Sequence, residues 1–229
     1  MLPLAFGWQN VLFANWPVDG DVLDAHLPDA FAVQEFDGTG WLTVVPFTNV
    51  DTRPRGLPAW LGLPLPELNL RTYVTVDGEP GVYFFSLDAD SLLATIAARL
   101  THHLPYYNAD VDIDWVDGRV EFSSYRRQPG DRPAHYRATY WPTGEPFESE
   151  PGSRAEFLTE RRRLYTQAPD GSVRYTDVDH PPWTLYPAEA DVEVNTLFEA
   201  NGFDHPGGDP LLLFSPGTEV TTTRSRRWD

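Results

Sequence analysis

Lysine is absent from this 229-residue chain: all 17 Lys+Arg positions are arginine, against 34 Asp and Glu. An imine with a carbonyl substrate needs a neutral primary amine, and arginine stays protonated in proteins. The α-amino group of Met1 is the only primary amine in the sequence, so Schiff-base chemistry on an internal side chain is excluded. Cysteine is also absent, which removes disulfides, thiolate nucleophiles and Cys-ligated metal sites. Positive charge is scarce. At a net charge of −17 no nucleic-acid partner is expected, since such binders need a basic patch. The two basic clusters, Arg161-Arg162-Arg163 and Arg224, Arg226, Arg227, read as ion-pairing surface in preference to a phosphate site.

Long apolar runs are missing as well. Each is broken by proline or charge before the roughly 20 residues that a membrane-spanning helix requires, so no membrane association is expected. The first eight residues carry no basic stretch, so no secretory leader is expected and the cytoplasm is the expected compartment. There is no Gly-x-Gly-x-x-Gly, P-loop or Gly-x-Ser-x-Gly segment, which leaves nucleotide binding and a serine-hydrolase elbow without support. No cofactor is expected. The six histidines include no His-Glu-x-x-His pattern. The tandem His102-His103 would point to different sides of a helix, so no metal site is expected.

What the chain does have is acid, proline, glycine and aromatic residues. An acidic surface without lysine suits very high salt, where screening removes the mutual repulsion of carboxylates; the alternative is a mesophilic protein of acidic composition. The 22 prolines and 17 glycines punctuate many short segments, which predicts β-structure in one domain spanning 1–229. The four Asp-Gly pairs that fall between apolar stretches, at Asp37, Asp77, Asp117 and Asp170, supply the positive φ angles of tight hairpins. They predict pairing of Ala32–Phe36 with Gly40–Phe47, Leu68–Val76 with Gly81–Leu87, Ala109–Val116 with Arg119–Tyr125, and Arg163–Thr166 with Val173–Val178. His135–Trp141, Glu189–Val194 and Leu211–Thr222 are further expected strands. Helices are expected over Asp21–Leu27, over Asp88–His103 capped by Asp88 or Asp90, from a capping box at Ser153 to about Arg161, and over Asn195–Asn201 closed by Gly202. Thr52–Pro66, Gln128–Pro133 and Asn201–Pro210 are expected loops.

The segment most suggestive of chemistry is Glu67-Leu68-Asn69-Leu70-Arg71-Thr72-Tyr73. Alternate residues of a strand share a face, so Glu67, Asn69, Arg71 and Tyr73 form a row of acid, amide, guanidinium and phenol. Such a row can hold a small polar ligand, with Arg71 gripping a carboxylate by two hydrogen bonds and Glu67 moving a proton. The alternative is a half-buried strand with its polar face in water. The stripe Glu189, Asp191, Glu193, Asn195 reads as a solvent face, with Glu193 retained as a candidate ligand contact. Ser86, at a strand end, is either at a cavity mouth or a cap. Tyr73, Tyr83, Phe85, Tyr106 and Tyr107 are candidates for the wall of an apolar pocket.

Several segments resemble the YqjF-like proteins, a family of unknown function in the acetoacetate decarboxylase-like superfamily. They include Leu12-Phe13-Ala14-Asn15-Trp16-Pro17-Val18, Trp41–Phe47, Arg53–Pro58, Pro66–Val74, Gly81–Asp88, Leu104-Pro105-Tyr106-Tyr107, Phe157–Arg161 and Pro187–Ala190. The resemblance runs in order over nearly the whole chain. It implies a mainly β fold, an antiparallel cone-like double β-barrel around a central cavity with a few peripheral helices. In the decarboxylases the cavity holds a Schiff-base lysine. The matching place here, Leu104-Pro105-Tyr106-Tyr107, has no amine.

The sequence therefore predicts a protein that binds a small organic anion, a carboxylate, in a barrel cavity without Schiff-base chemistry. Glu67 is the candidate acid or base. Asn69, Arg71, Tyr73, Tyr83, Ser86, Tyr107 and Glu193 are the candidate ligand contacts. The alternatives are a lysine-independent enzyme moving protons on a keto or enol acid, and a non-catalytic interaction protein.

Overall fold

The computed structural model describes residues 3–91, 103–127 and 132–228. Its strands are β1 (Leu4–Val18), β2 (Ala32–Val33), β3 (Gly40–Pro54), β4 (Leu63–Val76), β5 (Glu79–Ala89), β6 (Tyr106–Val116), β7 (Arg119–Arg126), β8 (His135–Pro142), β9 (Arg163–Gln167), β10 (Val173–Asp179), β11 (Tyr186–Asn195), β12 (Leu211–Thr222) and β13 (Arg226–Arg227). Among the described residues three short α-helices accompany them: α1 (Gly20–Asp24), α2 (Arg154–Thr159) and α3 (Leu197–Ala200).

Pairing closes the sheet twice. One ring of nine strands runs β5-β6-β7-β8-β11-β12-β1-β3-β4 and returns to β5. A second ring uses β12, β1, β3, β4 and β5 again and is completed by β9 and β10. The five shared strands form a wall between two interiors, so both of their faces are buried. That is why β1 and β3 show no apolar-polar alternation. Along β3, Gly40 to Asn49 are all buried. The nine-strand interior is packed solid by Leu12, Leu42, Leu68, Leu70, Phe122 and Tyr136, among others. The other interior is hollow.

The strand pairs are antiparallel apart from β5 with β6 and β5 with β9, which are parallel. Three of the Asp-Gly hairpins form as the sequence predicts: β4–β5, β6–β7 and β9–β10. The fourth does not. Asp37 and Gly38 take the turn conformation, with φ of 50° and 72°, but only a single bridge, Phe36 to Thr39, closes behind them. β3 already has β1 and β4 on its two edges. Ala32 and Val33 instead continue the β4 edge beyond Thr72, where β3 has ended, by pairing with Thr75 and Val74.

Thr52–Pro54 and Leu63–Pro66 of the expected loop extend the β3–β4 hairpin, and residues 55–62 between them form the connection, with a 3₁₀ turn at Ala59–Leu61. Asp88 does not cap a helix: it lies within β5 and pairs with Arg126 of β7. Residues 92–102 of that expected helix, with His102, lie outside the described residues, as do 128–131 of the expected loop. Asn201–Pro210 contains no strand or helix. The helix opens at Ser153 as expected, with the Ser153 hydroxyl accepting from the Glu156 amide, but the Glu156 carboxylate accepts from the Gly152 amide instead of the Ser153 amide and the helix ends at Thr159.

Candidate ligand cavity

The hollow interior is a cavity of about 180 Å³, small beside the roughly 300–1,000 Å³ of most ligand pockets. Phe6, Phe13, Val45, Phe47, Val82 and Trp183 give it apolar walls. Glu67, Asn69 and Arg71 of β4 project into it, while Leu68 and Leu70 enter the packed core on the other side of the same strand. The row thus faces a cavity, and Arg71 is 9% exposed.

Glu67 is buried and held by its neighbours. Its Oε2 accepts from the Tyr106 hydroxyl at 2.9 Å and from Asn49 Nδ2 at 3.2 Å. Asn49 is oriented in turn by the Trp8 indole, which donates to its Oδ1 at 2.9 Å. Burial pushes the Glu67 carboxyl up from 4.5 to about 7, against the two hydrogen bonds, with the charge of Asp88 adding to the rise. The Tyr106 phenol is driven upward by its own burial and then by Glu67. A carboxyl that titrates near neutrality in a cavity can give or take a proton.

Arg71 is anchored by α2. The last carbonyls of a helix have no partner within it, and α2 spends them on the cavity. Leu158 O accepts from Arg71 Nη2 at 3.0 Å and from the Tyr73 hydroxyl at 2.7 Å. Phe157 O accepts from Arg161 Nε at 2.7 Å, and Thr159 O from the Trp183 indole at 3.0 Å. Neither Glu67 nor Glu193 pairs with Arg71. Among the described residues no carboxylate lies within ion-pair distance of it. Its Nε is buried without a partner, as is Asn69 Oδ1.

The structure places the other expected contacts elsewhere. Tyr73 sits behind the wall with Trp41, Val82 and Phe157 and positions the Leu158 carbonyl. Ser86 and Tyr107 lie on the opposite face because of one extra residue. Leu70 pairs with Ser86 but Arg71 pairs with Phe84, so Phe85 is a β-bulge and the inward parity of β5 passes from Val82 and Phe84 to Leu87. Ser86 accepts from Asn201 Nδ2 at 3.0 Å. Tyr106 aligns with Leu87 and Tyr107 with Asp88. Tyr106 therefore enters the cavity, and Tyr107 lies beneath the Arg126 guanidinium, 4.0 Å from ring centroid to Cζ. Tyr83 packs on Phe31 and Phe85. Glu193 is exposed on β11, 3.8 Å from Arg137. Of the cavity's polar residues, the sequence reading assigned no role to Asn49 and took Arg161 and Arg163 for surface. Tyr106 carried a signal, as one of the candidate wall tyrosines. Among the described residues no cluster of His, Asp and Glu could hold a metal ion, and no helix is long and apolar enough to cross a membrane.

Residues 5–219 match DUF2071, "Uncharacterized conserved protein". The chain belongs to this family. "Uncharacterized protein YqjF" of Bacillus subtilis (strain 168) is 42% identical over 222 residues, covering 96% of this chain and 90% of that protein. Among solved structures, the enduracididine biosynthesis enzyme MppR complexed with pyruvate superposes with a TM-score of 0.70 at 13% identity, over 98% of this chain and 90% of that one. The acetoacetate decarboxylase of Legionella pneumophila gives 0.66 at 16% identity, over 99% and 87%. The DUF2071 chain thus has the acetoacetate decarboxylase-like fold. Where the resemblance expects an amine, it puts Leu104 and the Glu67-bonded Tyr106 into the cavity.

Proposed function

We propose that the cavity binds a small organic carboxylate non-covalently, in the cytoplasm of a salt-adapted cell. The observation that carries this reading is Arg71: a guanidinium, buried in a cavity with apolar walls, with a free Nε and no carboxylate partner. An unpaired buried charge is costly, and a bound anion removes the cost. Asn69 and Tyr106 line the same space and complete the polar contacts. A solved neighbour of this fold holds pyruvate, which supports a ligand of that size. The absence of lysine keeps the ligand free of any imine to an internal side chain.

A second reading is favoured by Glu67. Its raised pKa and its bond to Tyr106 suit proton transfer on a keto or enol acid. Turnover would then depend on Glu67, while binding would depend on Arg71.

Calorimetric titration with pyruvate and acetoacetate tests the binding reading. Wild type is expected to bind, Arg71→Met to lose binding at least tenfold while keeping its melting transition, and Arg71→Lys to bind more weakly than wild type because the planar fork is gone. Equal affinity in wild type and Arg71→Met would contradict the reading.

A further inference from the structure

The segment after α2 brings two more cations, Arg163 and Arg161, to the same cavity. Arg161 lines it together with Arg71. Its guanidinium carbon lies 4.3 Å from the Phe157 ring centroid and 5.4 Å from that of Tyr73, and Arg71 lies 5.8 Å from the same Tyr73 centroid. One phenol ring therefore contacts both cations. The neighbouring arginines are compensated: Arg162 faces Glu160 and Asp179, and Arg163 faces Asp177 and Glu79. Among the described residues, Arg161 and Arg71 have no such partner.

Like charges in a small apolar chamber repel strongly. The α2 carbonyls hold each guanidinium by one bond, but a carbonyl is a dipole and leaves the net charge standing. Burial works against the charge on Arg161 and Arg71 adds to that effect, while Tyr73 and the Glu156 carboxylate act the other way without overcoming it. Glu67 does not offset two cations: it carries one charge at most, and its Oε2 is turned to Tyr106 and Asn49. The cavity thus holds two guanidinium groups with no carboxylate within ion-pair distance among the described residues, and Arg71 Nε is buried without a hydrogen-bond partner.

We propose that Arg161 is a second anion-holding residue and that the ligand is a short dicarboxylate whose two charges are divided between Arg71 and Arg161. This rests on the small-carboxylate reading above and narrows its class.

The test is calorimetric titration with succinate and butyrate, which have the same four-carbon length and differ by one carboxylate exchanged for a methyl group. Wild type is expected to bind succinate at least tenfold more tightly. Arg161→Gln is expected to bring the ratio to about one, and Arg161→Lys to retain part of the ratio, since it keeps the charge but not the fork. The ratio is taken within each protein, so a reduced folded fraction cancels, and Arg161→Lys carries the test if Arg161→Gln fails to fold. Equal binding of both acids by wild type, or an unchanged ratio in Arg161→Gln, overturns the dicarboxylate assignment and leaves the single-carboxylate reading standing. Binding of neither acid by wild type overturns both.

Discussion

Glu67 binds its proton more tightly in the folded chain than in the unfolded one, because burial raises its pKa from 4.5 to about 7. Its contribution to stability is therefore fully present below about pH 4.5 and is lost as pH rises through 7. Above that pH a buried carboxylate costs the fold about 3 kcal/mol, at roughly 1.4 kcal/mol per pH unit of displacement. Asp88, raised by burial to about 6 despite Arg126, acts in the same direction at lower pH. Comparing Glu67→Gln with wild type removes the Asp88 background. In urea unfolding from pH 4.5 to 8.5, the variant is expected to gain about 3 kcal/mol on wild type across the window. A stability difference that stays constant with pH would contradict the raised pKa of the buried Glu67. The alternation of Glu67, Asn69 and Arg71 was legible because each faces the cavity while its neighbours face the packed core. Arg161 was not legible, since three consecutive arginines in sequence give no sign that one lines the cavity without an acid partner while its two neighbours pair with acids.

At the scale of elements, the hairpins were legible where a turn signal had a free edge to work on. Asp-Gly specifies the turn, and the turn is made at Asp37 too, but pairing also needs an unoccupied neighbour, which β3 lacks. Parity was the less visible property. Leu4, Phe6 and Trp8 face the cavity, and then Val11 and Phe13 do; the switch falls at Asn10, whose φ is 55°. The bulge at Phe85 does the same for β5 and decides between Ser86 and Leu87. A one-residue bulge has no compositional mark, so the faces of Ser86 and Tyr107 could not be read ahead.

The seam between β1 and β12 offers a direct check on this register. Gly217 has φ of +134°, and a Cβ there would come within 1.9 Å of the Trp8 carbonyl oxygen. Gly217→Ala is expected to cost about 3 kcal/mol or more, combining backbone strain with a clash against backbone. Gly171→Ala, at positive φ with no atom near its Cβ, is expected to cost about 1 kcal/mol. Urea unfolding compares them, and equal losses would show that the β1–β12 approach is looser than described.

For the whole molecule, two features set behaviour: a shared wall of five strands and a net charge of −17. Repulsion among the carboxylates weakens the compact state at low ionic strength, and salt shortens its reach from roughly 10 Å at 0.1 M to 3 Å at 1 M. The melting temperature is expected to rise steeply from 0.1 M to 2 M KCl; equal midpoints would remove the salt-adapted reading. The double ring itself was inferred from family resemblance, since strands buried on both faces hide their own period. The central claim is that the smaller ring encloses a non-covalent carboxylate site built on Arg71. Its most direct test is a crystal structure grown with a saturating small carboxylate. The account predicts density in the cavity with a carboxylate hydrogen-bonded to the Arg71 guanidinium and no covalent link to any side chain. An empty cavity, or a carboxylate held elsewhere with Arg71 still unpartnered, would contradict it.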